Sequence, residues 1–218
     1  MTVTDIIAVD KKRDKIYIDN EFAFVIYKGE SHLYDVEIGK EITPDNYDKI
    51  ISEVLPKRAK LRAMKLLIKR DYTEAGIRGK LSEGYYSESQ IDETIQYLKD
   101  YGYIDDVRYV RNYFAIHIQS KPKNKIIQKL VEKGISYELI DSLIDSIYEE
   151  EGSLTHLPDE MEMGRKLLEK KKYDIADSVN DRQKAFGYLL RHGISNENAI
   201  KLLKEYQKEH ATTWHNLE

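Results

Sequence analysis

The 218-residue chain has no cysteine. That absence excludes disulfides, thiolate metal sites and a thiol nucleophile, and it fits a reducing compartment. Four prolines and one tryptophan are also few for this length. No apolar run approaches membrane-spanning length, Ala23 to Tyr27 being about the longest. The first residues, MTVTDIIAVDKKRDK, lack the basic-then-apolar layout of a secretory signal. A cytoplasmic protein with no membrane association is expected.

Catalytic patterns are missing too. The six histidines, His32, His117, His156, His192, His210 and His215, show no metal-ligand pairing on one helix face. No glycine-rich phosphate loop and no nucleophile elbow occurs. Asp105-Asp106 could be a carboxylate pair, but no partner group joins it, and a helix cap accounts for both residues. The expectation is a non-enzyme without cofactor or metal.

What the chain has is charge and tyrosine. Charged residues make up 34% of it and hydrophobic ones 41%, a balance suited to a helix-rich protein with thin cores. Seventeen tyrosines favour half-buried seams whose hydroxyls stay wet. The net charge of −4 conceals alternating blocks. Residues 51–80 carry 9 basic and 3 acidic groups (+6), and residues 81–106 carry 1 and 7 (−6). Residues 107–134 carry 7 and 1 (+6), and residues 135–160 carry none and 8 (−8). The global charge therefore says little about partners.

Residues 2–27 alternate as strands do, with turn chemistry at Lys11–Asp14 and Asp19–Asn20, and read as a small antiparallel meander. Ser31–Glu37 reads as one helical turn stopped by Gly39. Thr43-Pro44-Asp45 opens a helix, with Thr43 as cap and Pro44 at its first position. From Leu55 onward the reading is helical, and it repeats. Gly84, Gly134 and Gly193 mark the register, each preceded at seven and three residues by apolar groups: Ile77/Leu81, Ile127/Val131 and Phe186/Leu190. A serine cap follows each glycine, as Ser87, Ser136 and Ser195, and then an amphipathic helix. Separations of 50 and 59 residues between the glycines give a unit of three short helices. The extra residues of the second gap fall around EEEGSLTHLPDE, read as an acidic linker.

Between the first two units lies YLKDYGYIDDVRYVRNYF, a helix end, a tight corner and a helix start. Gly102 suits a left-handed C′ position, with Leu98 at C3 and Tyr103 at C″, and Asp105 or Asp106 caps the next helix. The expected fold is mainly α: tandem three-helix repeats in an elongated array behind a small N-terminal antiparallel β element. Its parts are 1–52, the meander and short helix; 53–106, repeat 1; 107–152, repeat 2; and 153–218, acidic linker and repeat 3.

The run Gly102-Tyr103-Ile104-Asp105-Asp106-Val107-Arg108-Tyr109-Val110, preceded by TEAGIRGKLSEG and followed by KIIQKLVEKGI, resembles the bacterial RecX regulatory family. The resemblance covers roughly Ala59 to Leu203, and the meander looks like the extension of the longer Gram-positive members. One departure is Gly76, where that family commonly has Glu three residues after the cap, here Thr73. The resemblance implies a monomeric regulator that binds the RecA–DNA filament and restrains its recombinase activity, in DNA repair and the SOS response. A helical-repeat protein that binds single- or double-stranded DNA directly is the alternative.

The candidate contact residues are basic. Lys57, Arg58, Lys60 and Arg62 surround the buried stripe of Ala59, Ala63, Leu66 and Leu67, with Lys65 and Lys69 further along. Arg108, Arg111, Lys121, Lys123, Lys125 and Lys129 recur in the second unit. These rows are either solvated helix faces salt-bridged to the neighbouring acidic helices or, if like helices lie on like sides of a stack, one merged stripe suited to a phosphate backbone or an acidic protein surface.

Overall fold

A computed structural model describes the backbone of residues 1–154, 159–171 and 178–215. It divides into two compact units, Met1–Asp105 and Asp106–Glu218.

The first unit opens with an antiparallel meander of β1 (Val3–Ala8), β2 (Arg13–Ile18) and β3 (Glu21–Tyr27), in that spatial order. Asp19 and Asn20, at φ 50° and 70°, form the two-residue turn between β2 and β3, the backbone twist that tight hairpins need. A 3-10 turn follows over Lys28–Tyr34, earlier than the sequence suggests. It ends where Asp35 turns left-handed (φ 54°), and Val36, the next residue, joins the core with Val3, Ile16, Phe24 and Ile26.

Helix α1 (Pro44–Lys49) starts as expected, the Thr43 side chain accepting from the Asn46 amide at 3.2 Å. It passes through one wide turn, Ile50–Val54, into α2 (Leu55–Leu67). The widening lies just before Pro56, which has no N–H to give and whose ring crowds the carbonyl four residues back, at Ser52. Ile50 and Leu55 pack on the sheet, while Ala59 and Ala63 belong to the next core.

That next core is the first three-helix repeat: α2, α3 (Glu74–Ser82) and α4 (Glu88–Asp100), each packed on the other two. The second unit repeats the plan twice. Helices α5 (Asp106–His117), α6 (Lys123–Glu132) and α7 (Tyr137–Leu154) enclose Val110, Phe114, Ile126, Leu130, Ile140 and Ile144. Helices α8 (Glu160–Lys171), α9 (Val179–Arg191) and α10 (Asn196–His215) enclose Leu168, Ala185, Leu189 and Leu202. Residues 149–154, expected in a linker, continue α7; residues 155–158 lie outside the described residues.

The serine caps hold. Ser87, Ser136 and Ser195 accept from the amides of Gln90, Leu139 and Asn198, and at Ser87 the Gln90 side chain returns the bond, closing a capping box. The glycine register needs one correction. Gly134 and Gly193 are left-handed (φ 83° and 90°), but in the first repeat the left-handed residue is Tyr85 (φ 67°), one place after Gly84. Gly84 instead makes room: a β-carbon there would stand 2.9 Å from both the Leu81 carbonyl and the Tyr86 ring. Counted from the left-handed residue, the buried pairs are Ile77/Leu81, Ile126/Leu130 and Ala185/Leu189, eight and four residues back in every repeat. Alignment on glycine shifts the first repeat by one. It also points to Val131 and Leu190, which are exposed rather than buried.

Candidate functional site

Gly102 turns the chain at the end of α4. It has φ 65°, its amide donates to the Lys99 carbonyl at 2.9 Å, and the Tyr103 amide reaches the Leu98 carbonyl at 2.8 Å. Those are the two bonds of a Schellman end with Leu98 at C3. The residue that closes over the core is Ile104, which is buried, whereas Tyr103 stays exposed and stacks with Tyr101 at 6.1 Å. Asp105 directly precedes α5 and Asp106 is its first residue, at the positive end of the helix dipole.

Among the described residues, cations gather in two places. In the first unit, β3, α2 and the α3–α4 turn enclose a cleft of about 490 Å³. Arg13, Arg58, Arg62, Lys65 and Lys69 line it, and among the described residues no carboxylate does. Its aromatic walls are Tyr27, Tyr85 and Tyr86, over apolar side chains that include Ile26 and Leu55. Strand register brings Arg13 opposite Tyr27, at the end of the β2–β3 pair. Arg58 lies 4.8 Å over the Tyr27 ring and is ion-paired with Glu30. Burial lowers the proton affinity of its guanidinium, an arginine that stays charged while poorly hydrated. Arg62 donates to the Lys80 carbonyl at 3.2 Å. Burial raises the Tyr86 phenol above its usual range, against the opposing charges of Arg62, Arg58 and Arg13.

In the second unit, Tyr109, Tyr113 and His117 stand at i, i+4 and i+8 on α5. The two tyrosines stack at 6.3 Å and the imidazole meets Tyr113 edge-on at 4.4 Å. Lys133 lies over both tyrosine rings, at 5.9 and 5.7 Å, and Lys121 over Tyr113 at 5.8 Å. Partial burial, then the charges of Lys121 and Lys133, push the His117 imidazole below its ordinary value.

The ten basic residues singled out by sequence divide by partner. Arg58, Lys60, Arg111 and Lys129 are ion-paired, with Glu30, Glu93, Glu150 and Glu132. Arg62 and Lys125 donate to backbone carbonyls, Lys125 to Arg191 at 2.6 Å and also to the Gln128 side chain. Lys57, Lys121 and Lys123 make no ion pair among the described residues, and Arg108 is exposed on α5. Within the first unit Arg58 and Arg62 meet in the cleft, whereas Lys60 turns to Glu93 and Tyr97. Sequence reasoning misses Arg13 and the three tyrosines. Arg13 comes from a strand some 45 residues before α2, and only the β2–β3 register brings it there.

Among the described residues no cluster of His, Asp and Glu could hold a metal ion, and no helix is long and apolar enough to cross a membrane.

Comparison with known proteins follows the same outline. A family model described as the first three-helix domain of RecX matches residues 59–98. A protein of Caldanaerobacter subterraneus subsp. tengcongensis named regulatory protein RecX is 31% identical over 205 residues, 93% of this chain and 98% of that one. One of the same name from Clostridium acetobutylicum is 33% identical over 214 residues, 95% and 97% of the two chains. A solved structure described as regulatory protein RecX superposes with a TM-score of 0.56 at 23% identity, covering 94% of this chain and all of that one. At that identity the superposition speaks to the fold.

Proposed function

Because the chain belongs to the RecX family of regulatory proteins, we propose that it binds the RecA–DNA filament and restrains its recombinase and ATPase activity without catalysing a reaction itself. The reading rests on one observation above others: the match, over 93% and 95% of the chain, to relatives that bear the name of a regulator. The surface is compatible with an anionic partner. Lys57, Lys121 and Lys123 are not neutralised by a carboxylate among the described residues, and the first-unit cleft gathers cations without an acidic wall. We take 1–52 as an N-terminal element, and 53–106, 107–152 and 153–218 as three repeats of one regulatory array working as a cytoplasmic monomer.

The test is binding to RecA filaments on single-stranded DNA, titrated across ionic strength, with ATP hydrolysis read in parallel. Reversing Lys57, Lys121 and Lys123 together to Glu leaves no carboxylate unpaired, so the melting temperature should stay near wild type. Association should slow and lose salt sensitivity. Unchanged affinity and salt slope in the folded variant would exclude these lysines from the contact. Absence of any filament binding by the wild type would end the reading.

A further inference from the structure

Five cations around one cleft repel one another, and a patch serving only the fold would have carboxylates between them. Arg13 is paired with Asp10 and Arg58 with Glu30, both from outside the lining. Arg62, Lys65 and Lys69 have no ion pair among the described residues, and both lysines are exposed. The aromatic side is equally unusual. Tyr85 is held left-handed (φ 67°), a conformation that costs an L-residue free energy and is retained chiefly where surroundings or function require it. Tyr85 is 39% exposed and Tyr27 43%, beside a floor of buried Ile26 and Leu55. The volume, about 490 Å³, is that of a small-ligand site.

The geometry points to a nucleotide-binding cleft. The guanidinium and ammonium groups of Arg62, Lys65 and Lys69 hold a phosphate, and a base lies against Tyr27 and Tyr85 over the apolar floor. The N-terminal sheet, through Arg13 and Tyr27, is one wall of this site. The nucleotide is presented either by a single strand or free in solution. A carboxylate-rich peptide would satisfy the cations but gives the exposed rings nothing to stack on. The inference goes beyond the filament reading, since it concerns a ligand bound in the absence of RecA.

The experiment uses the full-length chain, a short fluorescein-labelled oligothymidylate read by anisotropy, and three competitors: ATP, inorganic pyrophosphate and polyglutamate. The oligonucleotide should bind, with ATP a better competitor than pyrophosphate and polyglutamate ineffective. Competition by ATP at equal nucleotide concentration assigns the site to free nucleotides; binding that ATP barely displaces assigns it to a strand. In Lys65→Glu/Lys69→Glu the affinity should fall about tenfold or more, and the slope of log affinity against log salt should become shallower by about 1.4, that is two contacts at about 0.7 each. Tyr85→Gly removes the ring and relieves the left-handed strain, so binding should weaken about fivefold or more at an unchanged or higher melting temperature. Wild-type affinity in both variants, no oligonucleotide binding by the wild type, or displacement of the oligonucleotide by polyglutamate would overturn the assignment. No RecA is present, so failure here leaves the filament reading standing.

Discussion

The backbone nitrogen and Cβ of Lys125 lie 2.6 Å from the point a β-carbon on Gly193 would occupy, and the Lys125 ammonium donates to the Arg191 carbonyl two residues before that glycine. The start of α6 therefore closes on the end of α9, and Gly193 is both left-handed (φ 90°) and without space. Gly102, equally left-handed, has nothing within 4 Å of its missing β-carbon. Gly102→Ala should thus cost only backbone strain, about 1 kcal/mol. Gly193→Ala adds overpacking and should cost about 2–4 kcal/mol. Denaturant melts of the two variants give the order, and equal costs would mean that α6 and α9 do not meet as described.

The buried register can be tested at two neighbouring residues. Leu130 is fully buried on α6, whereas Val131 is 46% exposed. Leu130→Ala should destabilise by about 2–5 kcal/mol and Val131→Ala by about 0.5 kcal/mol. The reverse order in chemical denaturation would restore the spacing counted from glycine.

Gly79 sits in the interior of α3, is exposed, and has no atom within 4 Å of the point a β-carbon would occupy. Alanine there fills empty space and removes the backbone freedom of glycine in the unfolded chain. Gly79→Ala should therefore raise stability by about 1 kcal/mol. A lower melting temperature would show that α3 uses this opening.

The His117 imidazole has its pKa lowered in the fold, first by burial and then by Lys121 and Lys133. A depressed value means that its stabilising contribution is present above the unfolded pKa, about 6.5, and is lost as pH falls through the folded one. Between pH 7 and pH 5 the wild type should lose more stability than His117→Gln, which cannot titrate. Parallel loss in both proteins would place the pH dependence elsewhere.

Much of the fold is local chemistry, and the sequence determined it. Ser87, Ser136 and Ser195 cap helices because a hydroxyl two residues past the left-handed turn can reach an orphan amide from its own segment. Gly102 closes a Schellman end because only the four residues before it supply the carbonyls. Asp19–Asn20 form their hairpin turn for the same reason. The three-helix plan followed from apolar periodicity, which each segment carries alone. Tertiary structure decided the rest. Tyr85 rather than Gly84 turns left-handed, and Gly84 serves instead to leave room for the Tyr86 ring and the Leu81 carbonyl. The partners of the basic residues were not legible either. Charge pattern along a helix does not say that Lys60 meets Glu93, 33 residues away, while Lys65 meets no carboxylate among the described residues. Nor could it bring Arg13 and Tyr27 beside Arg62, since strand register and helix packing fix contacts between residues far apart in the chain.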